Sequence, residues 1–576
     1  MPSLERSSPF LGSVYFSSDS FFLIMNMALA SITTRFRRLC VFAWCLSLVS
    51  TLQAQRVDYD VVPLPHSVQQ DTLHFFMLQQ GMDIAFDESQ ADMRRNALFL
   101  SEWVEELTGI RLALTPNAKK AAVRMVLTKD EMPEEAYTLK VGKTGITLSA
   151  HSPAGIFRGA QTLRKSMAAA RRSDAGSGIS LPFVRIDDQP RFAYRGLHLD
   201  CSRHFFPIDH IKQVLDVMAL HGCNQIHWHL TDDQGWRFEV KALPRLAQEG
   251  SVREQTVIGP NAGIYDGVPH SGYYTQEECR ELVRYAAERY INIVPEIDLP
   301  GHMQSALHVF PNLGCTGGPY PVMTNWGISP DVLCAGNPET LTFLKTVLNE
   351  LCDVFPSEYI HIGGDECPRD RWHQCAKCQT KIKELGLADN GKQSAESQLQ
   401  TYINREVEHF VNQRGRTIIG WDEILEGGLT EKSIVMSWRG VKGGIEAARQ
   451  HHRVIMAPNV YAYFNRPQLK NLSKQPRTTD GYIVSASKVY SLEPVISDSL
   501  TAEEQDCIMG VEACLWTEHI AYPQHVFYQL LPRLAAMSEV QWCLPAQKDF
   551  ENFKARLPQL KKIYDSLNVP YCKELE

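Results

Sequence analysis

The stretch YIHIGGDE, residues 359–366, begins with apolar residues and ends with two glycines and two carboxylic acids. Seven other segments in the second part of the chain are also apolar at the start and polar at the end. Eight such segments, alternating with helical patterns over about 350 residues, predict a (β/α)8 barrel, also called a TIM barrel. The other seven cover residues 196–202, 225–233, 291–302, 417–424, 434–440, 454–465 and 508–518.

The segments between these predicted strands have the apolar periodicity of amphipathic helices. Residues 275–290 begin with a capping box made by Thr275 and Glu278, and a last helix is predicted at 527–542. A doubly wound open sheet is the alternative arrangement, but no glycine-rich phosphate-binding turn follows the first strand. Because all strands of a barrel end at one rim, we expect their polar ends to share one site.

The region before the barrel mixes strand-like and helical segments. We predict a small two-layer α/β accessory domain at residues 56–188, followed by the barrel at residues 189–576. The strand-like segments are 123–128 and 145–150, and the helical ones are 93–109 and 152–170.

The N-terminal residues 1–54 have the composition of a signal peptide. Three arginines precede an apolar run, residues 39–52, which is too short to span a membrane and ends in small and polar residues. Cleavage is expected after Ala54, and Met25 and Met27 are alternative starts. We therefore expect export to the periplasm, the outer surface or the medium.

The composition is that of an ordinary globular protein, with 44% hydrophobic and 22% charged residues in a chain of 576. The formal net charge of −8 gives no reason to expect nucleic acid or an anionic membrane as a partner. A small neutral or mildly charged substrate fits better. The sequence leaves the oligomeric state open.

Three of the fifteen cysteines are close together in the segment CPRDRWHQCAKCQ, residues 367–379. They are Cys367, Cys375 and Cys378, with His373 between them. In an exported protein this spacing favours a loop disulfide with one thiol left over. A structural zinc knuckle is the alternative.

Aromatic residues recur at the strand ends of the predicted barrel. Trp421, Trp438 and Trp516 occupy such positions, and Tyr463 is near another. Aromatic faces complement the C–H groups of sugar rings, so three tryptophans on one rim predict a carbohydrate site. Arg203 has a planar donor group that suits vicinal hydroxyls, although a simple ion pair with Asp200 is the alternative.

The predicted rim is also rich in carboxylic acids. Glycoside hydrolysis needs one acid to protonate the leaving oxygen and a second group to stabilise or attack the anomeric carbon. Clustered acids raise one another's pKa, which keeps one of them protonated near neutral pH. The rim acids are Asp200, Asp232, Asp233, Asp298, Asp365, Glu366, Asp422, Glu423 and Glu518.

Asp365 and Glu366 are adjacent, and neighbouring strand residues point to opposite faces. We therefore do not expect them to act as the usual retaining pair, whose carboxyl groups lie about 5 Å apart. Gly363 and Gly364 allow the strand end to bend. One acid is then expected to reach the leaving oxygen and the other the substituent on C2.

Together with LDCSRHFFP, HWHLTDDQGWR, PEIDLPGH, GWDEIL, SWRG and EACLWTE, the motif HIGGDE resembles the family 20 glycoside hydrolases, the β-N-acetylhexosaminidases. The resemblance covers essentially the whole chain, and residues 135–163 are similar to that family's accessory domain. It implies exo-acting release of terminal β-linked GlcNAc or GalNAc with retention, without a metal or other cofactor.

The resemblance also implies a role for each site residue. Glu366 is the general acid and base, and Asp365 binds the 2-acetamido N–H, so that the substrate's own acetamido oxygen attacks C1. Tyr463 holds that oxygen. Asp232 and His302 form a relay that tunes Glu366, and the remaining pocket residues are Arg203, Trp421, Trp438, Trp516 and Glu518.

One local departure from the family pattern concerns specificity. Asn465 stands where many members carry Asp, and Arg466 follows it. This pair is similar to that of the alpha subunit of lysosomal hexosaminidase, which is associated with 6-sulfated GlcNAc. A cation near O6 favours sulfate through charge-assisted hydrogen bonds, so we expect 6-sulfated GlcNAc to be tolerated.

Two other functions are compatible with parts of the sequence. His227 and His229 are spaced like the His-x-His ligands of barrel metallohydrolases, which makes a metal-dependent amidase or deacetylase the enzyme alternative. Sensitivity to chelation distinguishes it. A catalytically inactive carbohydrate-binding barrel is the non-enzyme alternative, although both Asp365 and Glu366 are present.

Overall fold

The computed structural model describes residues 57–117, 120–170, 178–430, 432–479 and 481–576. The predicted signal peptide, residues 1–54, lies outside these residues. Within the described residues, every helix is too short or too polar to cross a membrane.

The accessory domain is a mixed seven-stranded sheet covered by two helices, as predicted. The elements are β1 (Ser67–Leu78), β2 (Asp83–Ala85), α1 (Ala91–Thr108), β3 (Ala113–Thr115), β4 (Val123–Leu127), β5 (Tyr137–Gly142), β6 (Gly145–Ala150), α2 (Pro153–Met167) and β7 (Ile179–Asp188). The strand order is β1-β7-β5-β6-β4-β2-β3. Helix α2 begins at Pro153, where the Ser152 hydroxyl accepts a hydrogen bond from the Gly155 N–H at 3.1 Å.

Eight parallel strands close the barrel, and each lies mostly within one of the eight predicted segments. The TIM-barrel prediction is therefore confirmed. The strands are β8 (Tyr194–Asp200), β9 (Gln225–His229), β12 (Asn292–Glu296), β13 (Tyr359–His361), β14 (Thr417–Trp421), β15 (Ile434–Ser437), β16 (Val454–Met456) and β17 (Ile508–Leu515), and a small hairpin of β10 (Thr231–Asp232) and β11 (Gly235–Trp236) follows β9. Some polar or aromatic residues close a strand, such as Asp200 in β8 and Trp421 in β14, and others, such as Asp365 and Glu366 after β13, lie in the loops of the rim.

The helices around the barrel follow the predicted periodicity, with one difference. The predicted helix 527–542 is divided into two helices, because Pro532 has no N–H to continue the first one. The helices are α3 (Ile208–Leu220), α4 (Arg245–Gln248), α5 (Gln276–Ala287), α6 (Gln304–Val309), α7 (Pro338–Val354), α8 (Asp370–Gln374), α9 (Ala376–Glu384), α10 (Ala395–Gln413), α11 (Lys442–Arg449), α12 (Asn459–Ala462), α13 (Ala486–Tyr490), α14 (Ala502–Gln505), α15 (Pro523–Leu530), α16 (Arg533–Trp542) and α17 (Phe550–Ser566).

The predicted capping box at the start of α5 is present. The Thr275 hydroxyl accepts from the Glu278 N–H at 3.2 Å, and the Glu278 carboxylate accepts from the Thr275 N–H at 2.8 Å. These bonds satisfy two backbone donors that the helix itself leaves unpaired.

The cysteines differ from the expectation of a loop disulfide. All thirteen cysteines among the described residues are free thiols. Cys375 and Cys378 do lie close together, but they face Cys315 and Cys334 instead of pairing with each other or with Cys367.

A buried ion-pair cluster joins the accessory domain to the barrel. Glu135 of the accessory domain lies 2.6 Å from Arg195 of β8 and 2.7 Å from Arg158 of α2. Burial alone would raise the pKa of Glu135, but the two arginines lower it to about 2. Both guanidinium groups are almost fully buried, so this carboxylate neutralises charges that water cannot reach.

We predict that Glu135→Gln destabilises the protein by roughly 3 to 5 kcal/mol, because it leaves two buried guanidinium charges without a carboxylate partner. Chemical denaturation with the exposed neighbour variant Glu134→Gln as control measures the difference. An equal effect of the two variants would contradict the assigned role of the cluster.

The same cluster has a pH signature. Because the folded-state pKa of Glu135 lies below the usual 4.5, its stabilisation is complete above pH 4.5 and is lost as the pH falls toward 2. The difference in stability between wild type and Glu135→Gln is expected to shrink over that interval.

Candidate active site

The catalytic candidates follow a sharp turn after β13. The strand ends at His361, and the chain turns through Gly363 and Gly364, whose φ angles are +62° and +94°. A Cβ atom on Gly363 would lie 1.8 Å from Oδ1 of Asp298, so this position requires glycine. Asp365 therefore lies outside the strand. The alternation of strand side chains, on which its predicted direction rested, does not apply to it.

Asp365 and Glu366 both face the imidazole of His302. The His302 Nε2 atom lies 3.8 Å from Asp365 Oδ2 and 3.7 Å from Glu366 Oε2. The side chain of Asp365 is 11% exposed and that of Glu366 is 36% exposed. The two acids thus differ mainly in depth, with Asp365 inside the site and Glu366 at its mouth.

A third acid, Asp298, lies beside Asp365. Its Oδ1 accepts a hydrogen bond from the Gly364 N–H at 3.1 Å. Burial and the Asp365 carboxylate raise the pKa of Asp298 well above its usual value. Burial and the Glu366 carboxylate raise the pKa of Asp365 to about 6, against the opposing effect of His302. The neutral form of Asp298 is thus favoured, and its hydrogen bond to Asp365 opposes the rise in the pKa of that acid.

The residues predicted to form a relay are brought together. The Asp232 Oδ1 atom lies 3.1 Å from His302 Nδ1, and its Oδ2 atom lies 2.8 Å from His229 Nε2 and from an Arg203 nitrogen. Burial would lower the pKa of His302, but Asp232 raises it well above its usual value. A protonated His302 then presents positive charge to both Asp365 and Glu366.

The relay continues into the barrel interior through Glu296, at the end of β12. Its carboxylate pairs with His229, lies 3.0 Å from His227 Nε2 and 2.9 Å from His361 Nδ1, and accepts from Trp421 Nε1 at 3.1 Å. All of these groups are buried. Sequence reasoning missed Glu296, although its place near Asp298 at a strand end was a usable signal.

The two histidines considered as metal ligands belong to this interior network. His227 also lies 2.8 Å from Glu512, so both of its ring nitrogens face a carboxylate. His229 has carboxylates on both nitrogens as well, from Glu296 and Asp232. These contacts fix the two rings below the rim.

The predicted aromatic residues form a continuous wall. The ring of Trp516 lies 5.8 Å from Trp421 and 6.3 Å from Tyr463, and Tyr463 stacks on Trp438 at 5.9 Å. Trp438 Nε1 donates to Glu423 at 2.9 Å, which fixes the orientation of the indole. Glu423 was expected among the rim acids, but its support of Trp438 was not predicted.

Arg203 and Glu518 lie at the end of this wall. The guanidinium group covers the Trp516 ring at 5.0 Å and pairs with Asp232, while Asp200 is more distant at 3.4 Å. The ion pair considered as an alternative role thus exists, but it involves two acids. Burial raises the pKa of Glu518, with Arg203 opposing this effect.

Asn465 and Arg466 follow the loop that carries Tyr463. The Asn465 side chain donates to the Thr479 hydroxyl at 3.2 Å. The Arg466 guanidinium lies 4.8 Å from the centre of the Tyr482 ring. Asn465 and Arg466 therefore contact Thr479 and Tyr482, which lie on either side of residue 480.

A closed (β/α)8 barrel with clustered carboxylates and an aromatic wall at its rim is the architecture of a glycoside hydrolase. Residues 192–545 match the glycosyl hydrolase family 20 catalytic domain, and residues 58–189 match domain 2 of that family. The chain belongs to glycosyl hydrolase family 20.

Individual relatives agree with this assignment. A beta-hexosaminidase of Porphyromonas gingivalis is 39% identical over 74% of this chain, but the match spans only 53% of that longer protein. A beta-N-acetylhexosaminidase of Cellulomonas fimi is 30% identical over 88% of this chain and 95% of its own length. The structure of Streptomyces plicatus N-acetyl-beta-hexosaminidase in complex with Thio-NAglucal superposes with a TM-score of 0.76, at 29% identity over 89% of this chain and 96% of that one.

We predict that Gly363→Ala lowers kcat/KM about 100-fold or more. The new Cβ displaces the Asp298 carboxylate and with it Asp365, and a misplacement of about 1 Å has an effect of this size. Steady-state kinetics of the purified variant check it.

Gly386→Ala is the matched control. Gly386 has a similar φ of +66°, but a Cβ atom added there would have no neighbouring atom within 4 Å. The Gly386→Ala variant has the same unfavourable backbone conformation for alanine but no steric clash. Its activity is therefore expected to stay near that of wild type. Equal losses in the two variants would show that backbone strain, and not contact with Asp298, explains the effect.

Proposed function

We propose that this protein is an exo-acting β-N-acetylhexosaminidase that removes terminal non-reducing β-linked GlcNAc or GalNAc with retention of configuration. The observation that carries the proposal is the pair of acids at one imidazole, with Asp365 buried and Glu366 at the mouth of the site. Family membership and the activity named for the relatives support it.

The geometry suits a reaction in which the substrate supplies the nucleophile. Glu366 donates a proton to the glycosidic oxygen as the C1–O bond breaks. The acetamido carbonyl oxygen attacks C1 from the opposite face and forms an oxazolinium ion. Asp365 accepts the hydrogen bond of the acetamido N–H and stabilises the developing positive charge. Glu366 then removes a proton from the water that attacks C1, the bond between C1 and the acetamido oxygen breaks, and the two inversions give net retention.

The surrounding groups have complementary tasks in this proposal. Tyr463 donates its hydroxyl hydrogen to the acetamido oxygen, and Trp421, Trp438 and Trp516 enclose the acetamido group and the sugar ring. Arg203 and Glu518 bind ring hydroxyls. The positive charge of His302 favours the ionised form of Asp365, which accepts the hydrogen bond of the acetamido N–H, and Asp232 maintains that charge.

We expect Glu366→Gln to lower kcat/KM by roughly 10²- to 10⁴-fold for alkyl or sugar leaving groups, the usual contribution of general acid catalysis. The loss should be smaller for a dinitrophenyl leaving group, which needs little protonation. Asp365→Asn should show no such dependence, because it impairs attack by the acetamido group. A series of β-GlcNAc substrates with different leaving groups measures both variants.

Glu503→Gln, on exposed helix α14, is the control for the substitution itself. Wild-type rates in Glu366→Gln would refute the mechanism, and turnover of 2-hydroxy sugars as fast as of 2-acetamido sugars would refute the role of the substrate. Inactivation by chelators, together with wild-type rates in Glu366→Gln, would favour the metal-dependent amidase. Binding of sugars without turnover would favour the inactive barrel.

We also propose that 6-sulfated GlcNAc is accepted, because Arg466 provides a cation on the loop that carries Tyr463. Arg466→Ala is predicted to lower the ratio of sulfated to unsulfated turnover several-fold and to leave unsulfated turnover nearly unchanged. Lys470→Ala, which removes an exposed cation a few residues further on, should not alter the ratio. An unchanged ratio in Arg466→Ala would remove the basis of this proposal.

The proposed site of action is outside the cytoplasm. This rests on the apolar N-terminal segment and its preceding arginines, which are typical of a signal peptide. N-terminal sequencing of the mature protein tests it, and an uncleaved N-terminus on cytoplasmic protein would contradict it.

A further inference from the structure

Four cysteines from two rim loops meet at one point. Cys315 and Cys334 belong to the long loop after β12, and Cys375 and Cys378 belong to the loop after β13. The Sγ atom of Cys378 lies 3.9 Å from that of Cys315 and 3.6 Å from that of Cys334, and the Cys334–Cys375 distance is 3.7 Å. All four sulfur atoms lie within 4.8 Å of one another.

These distances are those of ligands around an ion. A disulfide joins two sulfur atoms at about 2.05 Å, so none of the three contacts is a covalent bond. Four thiolates at about 2.3 Å from a tetrahedral zinc ion lie about 3.8 Å from one another. The observed separations of 3.6 to 3.9 Å match the edges of such a tetrahedron.

The backbone around the cluster is also arranged for it. The Gly336 N–H lies within hydrogen-bonding reach of the sulfur atoms of Cys334 and Cys378. A Cβ atom on Gly336 would lie 2.2 Å from the Lys377 carbonyl oxygen, so only glycine lets the two loops approach this closely. Amide groups directed at sulfur stabilise thiolate charge, and such outer contacts are usual around metal ligands.

The sequence pattern agrees with a closed structural site. Cys375 precedes the first residue of α9 and Cys378 lies in the first turn of that helix, which gives a Cys-x2-Cys pair. Cys334 and Cys378 are buried, Cys315 and Cys375 are partly buried, and the four sulfur atoms alone complete a set of four ligands. Closed four-cysteine sites of this kind hold zinc for stability and leave no position open for catalysis.

We propose that Cys315, Cys334, Cys375 and Cys378 bind one structural zinc ion that joins the loop after β12 to the loop after β13. The first loop carries His302 and the second carries Asp365 and Glu366, so the ion connects the two segments that form the catalytic pair and its histidine. Two further contacts between these loops run in parallel: Trp372 Nε1 donates to the Leu333 carbonyl at 2.9 Å, and Arg371 pairs with Asp331 at 2.7 Å.

The test begins with the purified full-length mature protein. Elemental analysis is expected to find one zinc per chain, and mass spectrometry under denaturing conditions is expected to find all four cysteines reduced. A strong chelator should remove the ion and lower Tm, and zinc alone should restore it. Cobalt added to the metal-free protein should give the charge-transfer and visible bands of a tetrahedral tetrathiolate site.

Variants separate this site from the other thiols. The double variant Cys375→Ser/Cys378→Ser is expected to lose the zinc. The control Cys507→Ser, which removes a partly exposed thiol in the turn between α14 and β17, should retain it. The cobalt spectrum of the wild type decides the matter even if the double variant does not fold. Metal-free protein with the four sulfurs in two disulfides, or iron in place of zinc, would overturn the proposal.

Discussion

The arrangement of the rim depends on one buried carboxylate, Glu296. The interior of a TIM barrel is usually filled by branched apolar side chains in layers. Here Glu296 lies at the centre, with His227 and His229 at its Oε2 atom and with His361 and the Trp421 indole at its Oε1 atom. A buried carboxylate is tolerated only if such partners satisfy it, so these side chains have little freedom to adopt other positions.

The charges of this network balance in pairs. Burial would lower the pKa of both His227 and His229, but neighbouring carboxylates raise the pKa values to about 9 and about 10. Glu296 and Glu512 supply the matching negative charges. His229 also contacts Asp232, and Asp232 contacts His302. The packing of the barrel interior therefore determines where the positive charge of His302 lies relative to Asp365 and Glu366.

The repeated segments made the barrel predictable, because apolar starts and polar ends recur at each strand. The identities of Asp365, Glu366 and the aromatic wall followed from the same regularity. Other features depended on contacts between distant residues. The cluster of four cysteines brings together residues as distant in sequence as Cys315 and Cys378. Asp298 lies beside Asp365 only because Gly363 has no side chain in the space that the Asp298 carboxylate occupies. The directions of the Asp365 and Glu366 side chains were predicted from strand geometry. Because β13 ends at His361, four residues before Asp365, the turn determines these directions instead.

Asp365, Glu366 and His302 lie in loops and not in strands, so the barrel strands alone do not fix their positions. Glu366 and His302 both have left-handed backbone conformations, with φ of +44° and +52°. For residues other than glycine such conformations cost of order 1 to 3 kcal/mol each and persist only where neighbouring structure enforces them. If each of these conformations were stabilised only by contacts within its own loop, the distance between His302 and the two acids could still vary. A link between the two loops restricts that distance directly, which gives the cysteine cluster a physical reason to lie where it does.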